Sequence, residues 1–289
     1  MKVLLLGEFS ALHKNLKEGL EELGHEVTLA ASGDGFKKVP VDILLESKLP
    51  SKLGVIHKNL LWWNTLRVMK DFDVVQLMNP FLFHAKFFPK KMFFKKIIKK
   101  NKKFFILAAG DDAYFWKFGR KSLSYGPFDD FLKYDLKYKE YYMDSEWAFR
   151  FNSWLVNRSR GVIPVMYEYE VSYQNEVKRL ETIPLPMNLK EIKYVENEYG
   201  FKGTRYVEEA FRYLSSKYPN QLELIIKGQM PLKEYLQLMS RTNVVIDQMN
   251  SYSLGVNGVY ALAMGKVVMG GGEPESLKSL GVNNSPVSN

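Results

Sequence analysis

Thr242-Asn-Val-Val-Ile-Asp-Gln-Met-Asn-Ser-Tyr-Ser-Leu-Gly-Val-Asn-Gly-Val-Tyr-Ala-Leu-Ala-Met-Gly-Lys-Val-Val-Met-Gly270 is the stretch whose reading decides the fold. An apolar run, Val244 to Ile246, ends in Asp247 and Gln248. A loop carrying Gly255 and Gly258 follows. The small-residue run Val259 to Met264 predicts a short helix, and Gly265-Lys266 breaks it before a second apolar run, Val267 to Met269. Strand, glycine loop, helix, strand is a βαβ unit, and its loop belongs at the carboxyl edge of a parallel sheet. Small residues there let backbone approach a ligand, and a helix N-terminus attracts anions.

The same alternation runs through the first half. Val3 to Leu6 predicts a strand and Asn15 to Leu23 a helix that Gly24 stops. Val27 to Ala30, Val74 to Met78, Phe104 to Ala109 and Gly161 to Val165 predict further strands, with helical stretches around 129–156. In the second half, Thr204 to Tyr218 predicts a helix, Leu222 to Ile226 a strand ending at Gly228, and Pro231 to Met239 a short helix. Strands alternating with helices point to an α/β class with parallel sheets. Two prolines in Thr182-Ile-Pro-Leu-Pro-Met-Asn188 make a stiff, extended link. The expected division is therefore 1–185 and 186–289. No strand signal precedes the helix at 204 and the chain ends on a polar tail with no closing helices, so the second domain is expected to be shortened.

Composition narrows the function classes. The chain has 289 residues, 46% of them hydrophobic, which suffices for two domains with real cores. With no cysteine there is neither a disulfide framework nor a thiolate metal site, which fits a cytoplasmic home. The opening Met1-Lys-Val-Leu-Leu-Leu-Gly7 superficially resembles a signal peptide. Its apolar run stops at Gly7-Glu8, so it reads as a first buried strand. No apolar run approaches the ~20 residues that span a bilayer. Of the net charge of +9, residues 1–185 carry +8 (30 Lys and Arg against 22 Asp and Glu). That half is expected to meet something anionic.

The source of that excess is Lys86-Phe-Phe-Pro-Lys-Lys-Met-Phe-Phe-Lys-Lys-Ile-Ile-Lys-Lys-Asn-Lys-Lys103, with nine lysines and no acid. At helical spacing Phe93, Phe94, Ile97 and Ile98 share one face, and Lys95, Lys96, Lys99, Lys102 and Lys103 lie opposite. A helix packed on a sheet explains the apolar face, but ordinary surfaces mix charge signs. An anionic membrane surface is the expected partner of these lysines, Lys95, Lys96, Lys99 and Lys100 foremost, with Phe87 and Phe88 available to dip into the interface. The expected location is the inner face of the membrane. Nucleic acid is not expected, since no zinc-finger, RRM or KH signature is present.

The 242–270 stretch resembles the donor-sugar segment of GT-B glycosyltransferases, in particular glycosyltransferase family 4, the retaining family with many bacterial capsule and lipopolysaccharide enzymes. Phe201-Lys202-Gly203-Thr204, followed by Glu208-Glu209-Ala210-Phe211, is similar to the start of the first helix of that family's C-terminal domain. Ile163-Pro-Val-Met-Tyr-Glu-Tyr169 and Ile183-Pro-Leu-Pro186 resemble the entry between its domains. The resemblance implies two Rossmann-like domains facing a cleft and sugar transfer from a nucleotide-sugar to a glycan or lipid-linked acceptor. No metal or other cofactor is implied. It places Lys202 on the donor diphosphate, with Gly228, Asp247, Gly255 and Gly258 around the donor. An ammonium beside a helix N-terminus suits a diphosphate; Lys202 also reads as a solvated loop lysine.

The sequence departs from the family at three points. Glu198, Tyr199 and Gly200 precede Phe201 and Lys202 where the family presents an arginine. Its two glutamates fall at Tyr260 and near Ser253. Tyr260 either hydrogen-bonds a ribose hydroxyl or sits in helix core. A catalytically silent nucleotide- or glycan-binding protein is therefore the second expectation.

On the acceptor side, Asp111 and Asp112 follow a strand's carboxyl end, where a carboxylate orients a hydroxyl or acts as base; the pair also reads as a helix-capping turn. His13, after the loop that holds Gly7 and Ser10, reads as a cleft residue or as a solvated helix-start histidine. His84 is too distant in sequence to make the aspartate pair a persuasive metal site.

Overall fold

Lys2–Leu6 forms β1, whose Val-Leu-Leu-Leu run is buried on both faces, as a central parallel strand requires. The computed structural model describes residues 1–35, 38–83, 88–126, 143–186, 203–226 and 232–282. Among these, β1 is followed by α1 (Leu12–Glu22), β2 (Glu26–Ala31), β3 (Ile43–Leu44) and α2 (Ser51–Thr65). Then come β4 (Val74–Met78), α3 (Lys90–Lys99), β5 (Lys103–Ala108), α4 (Glu146–Val156), β6 (Gly161–Pro164) and α5 (Tyr167–Ser172). The six strands make one parallel sheet in the order β3-β2-β1-β4-β5-β6. This is the doubly wound order, whose switch point lies between β1 and β4.

Alternation along β1 sorts its side chains between two cores. Val3 and Leu5 pack with Val27, Leu29 and the α1 residues Leu16 and Leu20. Leu4 and Leu6 face the other way, onto Trp62 of α2 and Leu66 just after it, Phe93, Phe94 and Ile97 of α3, and Phe151 and Leu155 of α4. One face of the sheet therefore carries α1, and the other carries α2, α3 and α4.

The second half is smaller. It contains α6 (Thr204–Lys217), α7 (Leu232–Arg241), β7 (Val244–Ile246), α8 (Val256–Ala263), β8 (Val267–Met269) and α9 (Pro274–Ser279). Strands β7 and β8 pair in parallel, Val244 opposite Val267. Contacts divide the chain into two units, Met1–Gly119 with Tyr141–Asn188, and Arg120–Glu140 with Leu189–Asn289.

Four expectations are corrected. Leu222–Ile226 forms no strand: no described strand pairs with it, and Leu222 and Ile226 are about half exposed. Helix α8 starts at Val256, so Gly258 is helical rather than part of the loop. The chain does carry a helix after β8, because Pro274 at the first turn of α9 has its φ preset for a helix start. Phe88 is buried, edge-on to Trp62 at 4.8 Å, and takes no part in any exposed interface. Phe87 and His84, with residues 127–142 and 187–202, lie outside the described residues.

Candidate functional site

The loops leaving β1, β4 and β5 at the switch point are built around backbone that L-residues seldom adopt. Ser10, Ala11 and Asn79 have positive φ, as do Gly7 and Gly110. At Gly110 (φ 72°) a Cβ would also meet the Phe9 ring at 2.7 Å, so only glycine fits. Asn79 ties two loops together: its Nδ2 donates to Asp111 O at 3.0 Å, and its Oδ1 accepts from Phe81 N. Ser10 N donates to Asp34 Oδ2 at 2.7 Å, fixing the first loop. Gly7, Ser10 and Asp111 thus meet at one edge of the sheet, where open α/β folds bind ligands.

His13 and Asp112 occupy different places. His13 is wholly buried, which removes the solvated reading. Its Nδ1 lies 2.7 Å from Gly7 O and its Nε2 3.0 Å from the Gln76 side chain. Burial lowers its pKa to about 4, so the ring is neutral at pH 7. Nδ1–H then donates to Gly7 O, and Nε2 lies beside the Gln76 side-chain amide. The imidazole fastens the β1 loop to β4. Asp112 is 1% exposed, and the capping reading describes it. Oδ1 accepts from Tyr114 N and Phe115 N, each at 2.9 Å, while Oδ2 accepts from Tyr173 OH. Burial raises its pKa. Asp111, half-buried, is the carboxylate of the pair set at the edge.

The sequence reading missed Glu8. It is 1% exposed, and its Oε2 accepts the N–H of Lys14 at 2.8 Å in the first turn of α1. Burial pushes its pKa up to about 8, against the opposing pull of the Lys14, His13 and Leu12 backbone N–H groups. Its own carboxyl therefore fills the helix terminus where many Rossmann domains hold phosphate. A glutamate after an apolar strand carries no sequence signal for this; only the turn at Gly7 folds it inward.

In the second unit, Asp247 follows β7 and is buried. Its Oδ2 accepts the N–H of Gly255, the residue before α8, at 2.7 Å. A Cβ at Gly258 would lie 2.8 Å from the same oxygen, and one at Gly271 would strike Ser251 O at 2.3 Å. Gly258 is glycine because Asp247 approaches α8, and Gly271 because the loops after β7 and β8 close on each other. Tyr260 is 1% exposed, in the core of the unit. Ser253 is 3% exposed and bonds Ser276 between hydroxyls at 2.7 Å. Tyr252 stacks on Tyr125 at 4.8 Å, and Tyr125 OH donates to Glu273.

Gly203 precedes α6 with φ 75°, a left-handed conformation that favours glycine. A Cβ on it would lie 3.0 Å from Met249 Cβ and 3.2 Å from Asn250 Oδ1. The start of α6 thus lies against the loop that leaves β7. Lys202 and Gly228 fall outside the described residues. Among the described residues no group of three or more His, Asp or Glu could hold a metal ion.

No family model matches the chain, and no curated protein matches its sequence. By structure it is similar to an alpha-glucosyltransferase in complex with UDP and a 13-mer DNA containing a central A:G mismatch. The identity is 12%, the TM-score 0.53, and the match covers 99% of this chain and 83% of that one. It is also similar to sucrose-phosphate synthase from Thermosynechococcus elongatus, at 11% identity and TM-score 0.53, covering 94% of this chain and 82% of that one. Both are glycosyltransferases, and the chain shares with them an α/β fold with a parallel sheet.

Proposed function

We propose that this chain is a glycosyltransferase resembling glycosyltransferase family 4. It would move a sugar from a nucleotide-sugar to a glycan or lipid-linked acceptor, with retention and without a metal. The observation that carries the reading is that Gly203 leaves no room for a Cβ beside Met249 and Asn250. Gly203, from one segment read as donor-binding, lies beside the loop after β7, which is read separately as donor-binding. A diphosphate at this point would face the first turn of α6, whose N–H groups and positive dipole end favour an anion, with Lys202 supplying the compensating charge. Asp247 acts as a positioning residue, holding the Gly255 turn. In the first unit, Asp111 would orient or deprotonate the acceptor hydroxyl beside Gly7 and Ser10. Lys95, Lys96, Lys99 and Lys100 would hold the protein on an anionic membrane, at the cytoplasmic face.

A specific observation favours a second reading, a silent nucleotide- or glycan-binding protein. The residues at or near the family's two glutamate positions, Ser253 and Tyr260, are buried and carry no carboxylate. Incubation with UDP- and GDP-sugars, with nucleotide release followed, separates the two. Release of UDP or GDP that an acceptor glycan accelerates supports transfer. Binding with no release supports the second reading.

A further inference from the structure

We infer that the face of the first unit formed by α2, α3 and α4 is a membrane-docking surface for anionic phospholipid, with α2 as its inserting element. This rests on the reading of the α3 lysines and adds the apolar half that it lacked. Phe88, one of the two aromatics expected to insert, is in the core and does not serve as anchor.

Helix α2 supplies it. Leu53, Ile56 and Leu60 are 64%, 58% and 57% exposed and recur at i, i+3 and i+7, which puts three large side chains on one solvent-facing stripe. Ordinary surface helices carry charge there. Residues 47–70 hold no acid and five bases, Lys48, Lys52, Lys58, Arg67 and Lys70, and residues 74–110 hold no acid and nine lysines; acids flanking these runs pair with Lys58 (Glu46, 2.7 Å), Lys70 (Asp71, 3.7 Å) and Lys102 (Asp73, 2.7 Å).

The two helices adjoin: Lys96 Nζ of α3 sits 4.7 Å from the ring centroid of Trp63, one turn beyond Leu60. Helix α4 borders α3 on the other side, through Phe94 and Phe151. It presents Trp147, 54% exposed over the buried Lys90, whose Nζ is 4.8 Å away, and Trp154 with the Arg158 guanidinium at 4.3 Å. Apolar stripe, lysine row and cation-flanked tryptophans side by side match the layers of a headgroup interface: acyl chain, phosphate, and the aromatic belt between them. Helix α1, with its paired charges Lys14–Glu18 and Lys17–Glu21, lies on the opposite face of the sheet, while on the proposed face α4 carries one such pair, Glu146–Arg150. No described helix is long and apolar enough to cross a membrane, so the geometry points to a surface mode.

The absence of cysteine makes the test clean. An environment-sensitive fluorophore is placed at Ile56→Cys and, as control, at Leu23→Cys beside α1. Each protein is mixed with phosphatidylcholine vesicles with and without phosphatidylglycerol. The label at position 56 should shift to the blue with phosphatidylglycerol alone, and the label at 23 should not. In sedimentation, the triple variant Leu53→Ser, Ile56→Ser, Leu60→Ser should lose roughly tenfold or more in vesicle affinity with unchanged melting temperature. Lys95→Gln, Lys96→Gln, Lys99→Gln and Lys100→Gln together should lose roughly a hundredfold or more.

If the lysine variant fails to bind while the triple serine variant binds like the parent, the lysine attachment stands and the α2 anchor is wrong. If both bind like the parent, neither holds. A label at 56 that responds to a DNA duplex and not to vesicles would assign the face to nucleic acid. Concentration-dependent dimers abolished by Ile56→Ser, without vesicle binding, would assign it to a second copy. Either result overturns the proposal.

Discussion

Asp247 Oδ2 accepts the N–H of Gly255 at 2.7 Å, closing the carboxyl edge of β7 onto the start of α8. Glu8 makes the equivalent closure in the first unit, its Oε2 on Lys14 N at the start of α1. In both units a buried carboxyl group from the strand-to-helix loop takes a helix terminus that a ligand anion would otherwise find open. The start of α6, with Lys202 before it, is the terminus the proposal leaves for the donor.

The Glu8 closure has a pH signature. Its pKa is raised to about 8, so the folded state holds a proton the unfolded chain has lost, and stability falls as pH rises toward 8. His13 acts oppositely: its lowered pKa, about 4, makes stability fall as pH drops below the ordinary histidine range. The two offset each other between roughly pH 4.5 and 6.5. Between about pH 6.5 and 8 the contribution of Glu8 to this decline is roughly 2 kcal/mol. Urea unfolding across that range measures it. Glu8→Gln should flatten the decline.

Gly258 lies inside α8, where alanine would ordinarily be the better helix former by up to about 1 kcal/mol. Here the added Cβ meets Asp247 Oδ2 at 2.8 Å and Leu254 Cδ2 at 2.6 Å. Leucine can turn away, but the carboxylate is buried and held by Gly255 N. Gly258→Ala should therefore destabilise by about 1–3 kcal/mol in chemical denaturation, the reverse of the propensity scale.

The two adjacent aspartates should separate by experiment. Asp112→Ala strands two buried N–H groups and the Tyr173 hydroxyl, and should cost about 2–4 kcal/mol of stability. Asp111→Asn should leave the melting temperature near that of the parent. If Asp111 serves the acceptor hydroxyl, transfer should fall by about 10²- to 10⁴-fold.

Much of the fold was legible because its strands are short apolar runs with turn residues at both ends. Val74–Met78, Val244–Ile246 and Val267–Met269 appear at their expected bounds. The failures have physical causes. Leu222–Ile226 has a strand's composition, but a strand needs a hydrogen-bonded neighbour, which composition does not reveal. Gly255 and Gly258 look like one loop, yet only the first lies outside α8, and the second is glycine because a carboxylate approaches it. Adjacency concealed the split between Asp111 and Asp112, since one residue's rotation sends one carboxylate to the edge and the other into the core. Helix α3 was legible by its period, whereas the exposed stripe of α2 reads in sequence like any buried helix face.

The central claim is tested most directly by calorimetric titration of UDP and GDP, with their sugars, into the parent and Lys202→Ala. The proposal predicts that one nucleotide binds the parent and that Lys202→Ala weakens it by about 1.5–3 kcal/mol, the cost of a lost charge-assisted contact. No heat with any of these nucleotides, or equal affinity in parent and variant, would contradict a donor site at the start of α6.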